Sequence, residues 1–134
     1  MTEYRIIEGA ENMRLGDVVR LLRTTYWAGN RPEATIERAM AHSDCFGIRL
    51  EGSEGLAAFA RVITDYATNY YLCDVVVDPA FRGRGLGKAL VSHIVSHPTL
   101  AGLRGFLITR DAHGLYRPFG FEVVNDRVMV RAPQ

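Results

Sequence analysis

Cysteine is scarce in this chain, which has two among 134 residues, and neither sign of charge is in excess. Cys45 and Cys73 are too far apart to form a close metal-binding pair, and each lies in an apolar, strand-like run. We therefore expect buried free thiols and no metal site. The 16 basic and 15 acidic residues give a net charge of +1, which predicts no general affinity for nucleic acid or for an anionic membrane.

Long hydrophobic runs are absent as well. No segment approaches the roughly 20 apolar residues that span a bilayer, and the N-terminus lacks the charged-then-apolar layout of a secretion signal. We therefore expect a cytoplasmic protein. There is also no repeat, linker or low-complexity segment, and the length suits one domain with a single modest core.

The most informative stretch covers residues 75–88, where an apolar strand breaks at Asp78-Pro79 and passes through a glycine-rich turn into a helix. Proline ends the strand because it cannot donate to a ladder. A helical period begins at Leu86, so the turn lies at a helix N-terminus, where unpaired N–H groups and the helix dipole attract phosphate. Glycine has no side chain and so permits close approach of an anion, and the turn contains Gly83, Gly85 and Gly87. Positive charge comes from Arg82, Arg84 and Lys88. The alternative is an ordinary strand-to-helix turn with solvated arginines.

Two familiar phosphate loops do not match this turn. A P-loop requires glycine where Arg82 stands and serine or threonine where Ala89 stands. The dinucleotide-binding fingerprint requires a third glycine where Lys88 stands. Neither of these two phosphate-binding motifs therefore accounts for the turn.

The pattern that fits is Arg/Gln-x-x-Gly-x-Gly/Ala, at residues 82–87, and it resembles the acyl-CoA pyrophosphate loop of the GCN5-related N-acetyltransferases (GNAT). Residues 114–122, with Tyr116 and the Gly120-Phe121 pair, resemble the second signature of that family. The two motifs occur in the family's order, and the resemblance covers nearly the whole chain. It implies one N-acetyltransferase domain over residues 1–134.

Periodicity and turn residues predict an α+β order of β1-α1-α2-β2-β3-β4-α3-β5-α4-β6-β7. The strands are expected at residues 4–8, 45–50, 56–63, 70–77, 104–109, 121–124 and 128–131. Helix α1 is expected to cover residues 18–27, and α2 to begin at residues 31–33. Helix α3 is expected to begin at residue 86 and to end before His97-Pro98, and α4 to cover residues 112–118. The resemblance implies that these elements form an α/β/α sandwich. Its central sheet would be mixed, mainly antiparallel and splayed between β4 and β5.

The resemblance also implies acetyl-CoA as co-substrate, without a metal. Main-chain groups of β4 would pair with the pantetheine arm and the thioester, and amides of the glycine loop would hold the pyrophosphate. The residues concerned are Val75, Val76, Val77, Arg82, Gly83, Arg84, Gly85, Leu86, Gly87 and Lys88. A fixed backbone donor at the thioester carbonyl would stabilise the charge that develops as an amine attacks.

Tyr116 matches the general acid of the family, which protonates the departing CoA thiolate. A phenol is neutral at pH 7 and can donate a proton once sulfur becomes basic. From composition alone, a tyrosine beside Pro118, Phe119 and Phe121 could instead be a core residue.

Asp74 is a carboxylate among apolar neighbours in the strand that should border the cleft. Strand alternation predicts that it shares a face with Leu72 and Val76. It is either a catalytic residue that holds or deprotonates the substrate ammonium, or a structural residue paired with Arg61 or another strand residue.

Acceptor selection would fall to the α1–α2 region and the adjacent strand ends, where the candidates are Tyr26, Trp27, Arg31 and Arg61. Each of the four could equally be a core or a surface residue.

The leading hypothesis is an N-acetyltransferase that transfers acetyl directly to a primary amine in a ternary complex. The amine would belong to a small molecule or a peptide, and the enzyme could be a homodimer. The alternative is a non-catalytic acyl-CoA-binding or sensor module on the same fold. Asp111 is expected to cap α4. Acetyl transfer through a covalent intermediate on either cysteine is disfavoured.

Overall fold

A computed structural model of the protein describes residues 3–134 and contains a five-stranded sheet with helices on both faces. The strands are β1 (Tyr4–Glu8), β2 (Asp44–Leu50), β3 (Leu56–Thr64), β4 (Asn69–Val77) and β5 (Arg104–Phe106). The helices are α1 (Leu15–Leu22), α2 (Glu33–Ala41), α3 (Leu86–Val95) and α4 (His113–Tyr116), with 3-10 turns at Ala10–Asn12, Pro79–Phe81 and Arg117–Phe119. Within the described residues, no helix is long and apolar enough to cross a membrane.

The sheet is mixed and mainly antiparallel, with its strands in the order β1-β2-β3-β4-β5. Only β4 and β5 are parallel, and their pairing begins at Asn69↔Arg104 and stops at Tyr71↔Phe106. From Leu72 onward the two strands separate. The predicted splay between β4 and β5 is therefore confirmed, and it leaves one side of the main chain of β4 facing a gap.

Two apolar clusters cover the two faces of the sheet, as expected for an α/β/α sandwich. Helix α1 buries Val18, Leu21 and Leu22, at the spacing of one helical face, in the cluster that also holds Phe59 of β3. Helix α3 contributes Leu86, Leu90, Val91 and Ile94 to the other cluster. The sheet thus holds α1 and α2 on one face and α3 and α4 on the other.

A β-bulge interrupts β4 at Asp74. The register with β3 passes from Arg61↔Cys73 to Phe59↔Val76, and Asp74 has a φ of 56°, in the left-handed region. Leu72 consequently packs in the α3-side cluster and Val76 in the α1-side cluster. The expectation that Asp74 shares a face with both residues is wrong, because the extra residue reverses the alternation. Asp74 lies on the α1–α2 face, beside Ile36 and Phe59.

Helix α1 is shorter than predicted and ends at Leu22 instead of residue 27. The hydroxyls of Thr24 and Thr25 donate to the carbonyls of Leu21 and Leu22, which competes with continuation of the helix. Residues 23–30 therefore form turns. This places the aromatic pair that follows in a loop.

The two C-terminal strands predicted at 121–124 and 128–131 do not form: residues 121–134 have no helix or strand. Phe121 is partly buried against the core, and residues 122–134 are exposed. The apolar pattern of this segment is that of strands, but a strand needs a hydrogen-bonded neighbour, and within the described residues its backbone pairs with no other strand. Strand β5 is also shorter than predicted, since it ends at Phe106.

Candidate active site

The glycine loop is held at its start by Asp78. One carboxylate oxygen of Asp78 accepts from the backbone N–H of Ala80 at 2.9 Å, and the other lies 2.7 Å from Nη1 of Arg20. The backbone N–H of Asp78 donates to the carbonyl of Ala57, and Nη2 of Arg20 donates to the carbonyl of Leu56. These contacts fix the end of β4 to α1 and β3, so the loop departs from a rigid support.

The loop presents a row of free backbone donors. Within residues 3–134, the N–H groups of residues 82–88 donate to no acceptor, and those of 86–88 belong to the first turn of α3. Gly83 and Gly85 have φ values of 80° and 78°, which other residues rarely adopt, and a Cβ on either would meet no protein atom within 4 Å. This is open space lined by N–H groups at the positive end of a helix dipole, and it fits a phosphate.

The third glycine of the motif has a different role. A Cβ on Gly87 would stand 3.5 Å from Cγ2 of Val77 and 3.8 Å from Cδ1 of Leu115, in ordinary contact distance. The first turn of α3 thus lies close to β4 and α4, and the packing at Gly87 leaves room for a methyl group. The guanidinium of Arg84 lies 5.3 Å from the ring centroid of Phe81, which holds one of the loop's positive charges in place.

A cleft of about 360 Å³ lies at the splay, alongside the unpaired side of β4. It brings together seven of the site residues predicted from the sequence, namely Tyr26, Trp27, Arg31, Arg61, Asp74, Val75 and Tyr116. Residues 82–88 do not line it, because they follow the far end of β4. The site therefore has two parts, an anion loop and an open cleft, joined by the free main chain of β4.

Tyr116 lines the cleft from the last turn of α4, and its side chain is largely buried. Its ring packs edge-on against Phe121 at 6.0 Å. Burial, with smaller contributions from Tyr26 and Asp111, raises the pKa of Tyr116 to about 12. The phenol is therefore a neutral proton donor throughout the physiological range.

Asp74 receives three hydrogen bonds in the cleft wall. Its Oδ1 accepts from Nε1 of Trp27 at 2.9 Å, and its Oδ2 accepts from Nη1 of Arg31 at 2.8 Å and from Nε of Arg61 at 2.6 Å. This matches the structural alternative, in which Asp74 pairs with Arg61. Burial acts to raise the pKa of Asp74, but the hydrogen bonds from the two arginines outweigh it, so the pKa lies below its usual value.

Both thiols are free, and Cys45 is buried as expected, but the expectation that Cys73 is buried is wrong because it is partly exposed beside the cleft. Burial raises the pKa of Cys45 to about 12 and that of Cys73 to about 11, with Arg61 opposing the rise in each case. Neither is thus a thiolate at neutral pH. Between residues 3 and 134 there is no cluster of three or more side chains suited to a metal ion.

The family model that matches this chain is the acetyltransferase (GNAT) family, and it covers residues 16–121. The chain belongs to the GNAT family. GCN5-related N-acetyltransferase 1, chloroplastic, from Arabidopsis thaliana is 35% identical over 94 residues, which are 68% of this chain and 48% of that protein. This chain thus spans about half the length of that relative.

Solved structures of GNAT proteins share this fold. A protein of Xanthomonas campestris pv. campestris, described as belonging to the GNAT family, superposes with a TM-score of 0.90 at 42% identity, covering 99% of this chain and 95% of that one. An aminoglycoside N-acetyltransferase in complex with CoA gives a TM-score of 0.73 at 19% identity, over 98% and 96% of the two chains, which shows likeness of fold.

Several residues of this GNAT cleft were not predicted from the sequence: Tyr71, Ile108, Thr109, Asp111 and Leu115 line it as well. Arg110 was also missed; its guanidinium lies 3.8 Å from the ring centroid of Tyr26, which links the α1–α2 loop to the segment after β5. No local pattern marks such a cross-cleft contact. The predicted capping of α4 by Asp111 is wrong, because Ala112 is the N-cap residue of this helix and no side chain caps it. Oγ1 of Thr109 accepts from the N–H of Ala112, just before the helix begins.

Proposed function

We propose that this GNAT domain is an N-acetyltransferase that moves an acetyl group from acetyl-CoA to a primary amine by direct transfer in a ternary complex. The observation that carries the proposal is the continuous path from the anion loop, along the unpaired side of β4, to the cleft that holds Tyr116. A proton donor at the end of such a path serves a reaction and is not needed for binding alone.

The free amides of residues 82–88 would hold the pyrophosphate of CoA, with Arg82, Arg84 and Lys88 adding positive charge. The main chain at Val75, Val76 and Val77 faces the gap and would pair with the amides of the extended pantetheine arm. These contacts would place the reactive end of the donor beside Tyr116.

Acetyl-CoA, when bound, supplies a thioester carbonyl that an amine nitrogen attacks, so that the C–S bond breaks as the C–N bond forms. Tyr116 would give its phenolic proton to the leaving sulfur, and its raised pKa keeps that proton in place until the sulfur is basic enough to take it. The surplus proton of the amine passes to water, and the phenolate recovers a proton from solvent.

Asp74 would serve the reaction by positioning other residues. Its carboxylate is already occupied by Trp27, Arg31 and Arg61, and its lowered pKa makes it a weak base. The two arginines and Trp27 line the cleft and would select the acceptor, together with Tyr26. Asp74 is thus the residue that fixes their directions.

The experiment is incubation of the purified chain with acetyl-CoA and a panel of amines: small amines, amino sugars and peptides. Release of CoA thiol that depends on the amine, with the acetylated amine identified by mass spectrometry, is the expected result. Calorimetric binding of acetyl-CoA without acetylation of any amine would favour the alternative of a non-catalytic binding module. Absence of binding would overturn both.

A further inference from the structure

The cleft wall formed by Asp74 and its partners has more positive than negative charge. One carboxylate, that of Asp74, faces two guanidiniums, those of Arg31 and Arg61, which both contact its Oδ2. Burial acts to lower the pKa of Arg61, but the hydrogen bond to Asp74 outweighs it, so the pKa is raised and the charge is kept. The third partner, Trp27, is neutral. A single positive charge is therefore left in excess.

Both arginines keep N–H groups that the protein does not use. Arg31 donates through Nη1 to Asp74, and Arg61 donates through Nε to Asp74 and through Nη1 to Ser43. In the described part of the chain, Nη2 of neither arginine has an acceptor. Among the buried side-chain atoms described, only Oδ2 of Asp17 lacks a hydrogen-bond partner, so both Nη2 groups are open to solvent. Since both side chains line the cleft, it offers guanidinium donors to an anion.

A negative charge lies in another wall of the cleft. Asp111, between β5 and α4, is exposed and lines the cleft together with Tyr116. Its carboxylate forms no ion pair or hydrogen bond with residues 3–134, so it does not neutralise the arginines. Burial and Tyr26 raise the pKa of Tyr116, and the charge of Asp111 adds to that rise, which places this carboxylate near the phenol. The cleft thus has a positive wall and, near the proposed proton donor, a negative one.

The rest of the lining suits a short hydrocarbon chain. Tyr26, Trp27, Tyr71 and Ile108 contribute partly exposed apolar surface, with exposed fractions from 36% to 73%. The volume of about 360 Å³ is at the low end of the range for small-molecule sites, which is about 300–1,000 Å³. The volume and the lining therefore favour an acceptor of about the size of an amino acid.

We propose that the acceptor is a small zwitterion, a primary amine that carries a carboxylate, and that its product is an N-acetylated amino acid. The carboxylate binds the free N–H groups of Arg31 and Arg61, while the amine faces Asp111 at the end of the cleft where Tyr116 lies. The inference deepens the proposed acetyltransferase function and rests on it. One positive charge in excess matches one carboxylate, whereas a phosphate monoester would bring nearly two negative charges at pH 7.

Matched acceptors test the charge requirement. Linear amino acids of increasing length, from glycine upward, are each compared with the corresponding primary amide, which keeps the amine and lacks the negative charge. We expect the best acid to exceed its amide at least tenfold in kcat/KM. Aminoethyl phosphate is measured beside them, and a higher kcat/KM for it than for any acid would overturn the assignment of a carboxylate.

Two other outcomes separate this inference from the function on which it rests. If amines are acetylated but no acid exceeds its amide tenfold, the acceptor class is wrong and the acetyltransferase function stands. If acetyl-CoA binds and no amine is acetylated, the acetyltransferase function is wrong and the acceptor class falls with it.

Variants of Arg31 test whether this residue holds the carboxylate. Its side chain is 23% exposed, against 14% for Arg61, and its removal leaves Asp74 paired with Arg61. The ratio of kcat/KM for acid over amide should fall toward one in Arg31→Met, and Arg31→Lys should recover part of it, because lysine keeps the charge without the planar fork. The ratio cancels any general loss of activity or of folded protein.

Arg38→Met is the matched control. Arg38 is an exposed residue of α2 outside the cleft, so the same change of charge should leave the ratio at its wild-type value. An unchanged ratio in Arg31→Met, or an equal fall in Arg38→Met, would overturn the role of Arg31 in binding the carboxylate.

Discussion

Trp27 and Asp74 are joined by a hydrogen bond of 2.9 Å that ties the loop after α1 to the bulge in β4. The two residues are 47 positions apart, and the indole nitrogen donates to a carboxylate that is almost wholly buried. Arg31 and Arg61 complete the set of donors. One carboxylate therefore holds together three side chains that line the cleft.

Replacing Asp74 with asparagine should destabilise the protein substantially. The change leaves two arginines largely buried without a countercharge, and breaking such a set costs roughly 3 kcal/mol. We expect this loss in the free energy of unfolding, measured by urea titration. The double variant Asp74→Asn/Arg61→Met should recover part of it, and a loss below about 1 kcal/mol in the single variant would show that the cluster contributes little.

The pH dependence of stability should change in the same variant. Because the folded-state pKa of Asp74 is lowered, its contribution is fully present above the unfolded value of about 4 and is lost as pH falls below it. Melting temperatures measured from pH 7 to pH 3 should fall more steeply for the wild-type protein than for Asp74→Asn. Parallel curves would show that Asp74 is not a source of acid lability.

Glu8 offers a contrasting ion pair at the surface. Its carboxylate lies 2.9 Å from Nε2 of His93 and 3.0 Å from Nε2 of His97, but its side chain is 47% exposed. Solvent screens such a pair, so Glu8→Gln should lower the free energy of unfolding by less than about 1 kcal/mol at pH 7. If Glu8→Gln lowers the free energy of unfolding as much as Asp74→Asn does, burial does not determine how much these ion pairs contribute.

The sequence predicts the local parts of this site better than the long-range ones. The strand, the glycine turn and helix α3 follow from residues that are neighbours in sequence, and the structure has them at the expected positions. The bulge at Asp74 could not be predicted, because aspartate is tolerated in the left-handed region and nothing local marks the extra residue. Contacts such as Arg110 with Tyr26 depend on the fold that joins distant segments.

The two strands predicted at the C-terminus do not form, although their local sequence pattern favours them. The alternating apolar pattern of residues 121–131 predicts strands, but a pattern states only which conformation suits the side chains. Whether a strand forms depends on a hydrogen-bonded neighbour, and within the described residues no strand pairs with residues 121–131. The prediction failed because the pattern of the side chains does not supply that neighbour.

Gly85 should be essential for binding of CoA. Its φ of 78° is strained for other residues, and a Cβ there would project into the open space proposed for the pyrophosphate. We expect Gly85→Ala to raise the Kd for CoA at least tenfold in calorimetry. Gly102→Ala is the matched control, since that site has neither a positive φ nor a nearby atom, and equal affinities in the two variants would refute the pyrophosphate assignment.

Cys73 should be dispensable, although it lines the cleft. Its pKa of about 11 leaves it a neutral thiol, which is a poor nucleophile for a covalent acetyl intermediate. Cys73→Ala should keep kcat within about threefold of the wild-type value. A loss of 100-fold, or capture of an acetylated thiol by mass spectrometry, would favour a two-step route.

Replacing Tyr116 should slow turnover without weakening the binding of acetyl-CoA. Phenylalanine keeps the ring packing against Phe121 and removes the hydroxyl group that carries the proton, so Tyr116→Phe should lower kcat by about 100-fold while the Kd for acetyl-CoA stays within twofold. Because the pKa of Tyr116 is about 12, the wild-type kcat should show no decline between pH 8 and pH 10 from loss of this proton. An unchanged kcat in the variant would exclude Tyr116 as the acid, whereas a weakened Kd with unchanged kcat would assign it to donor binding.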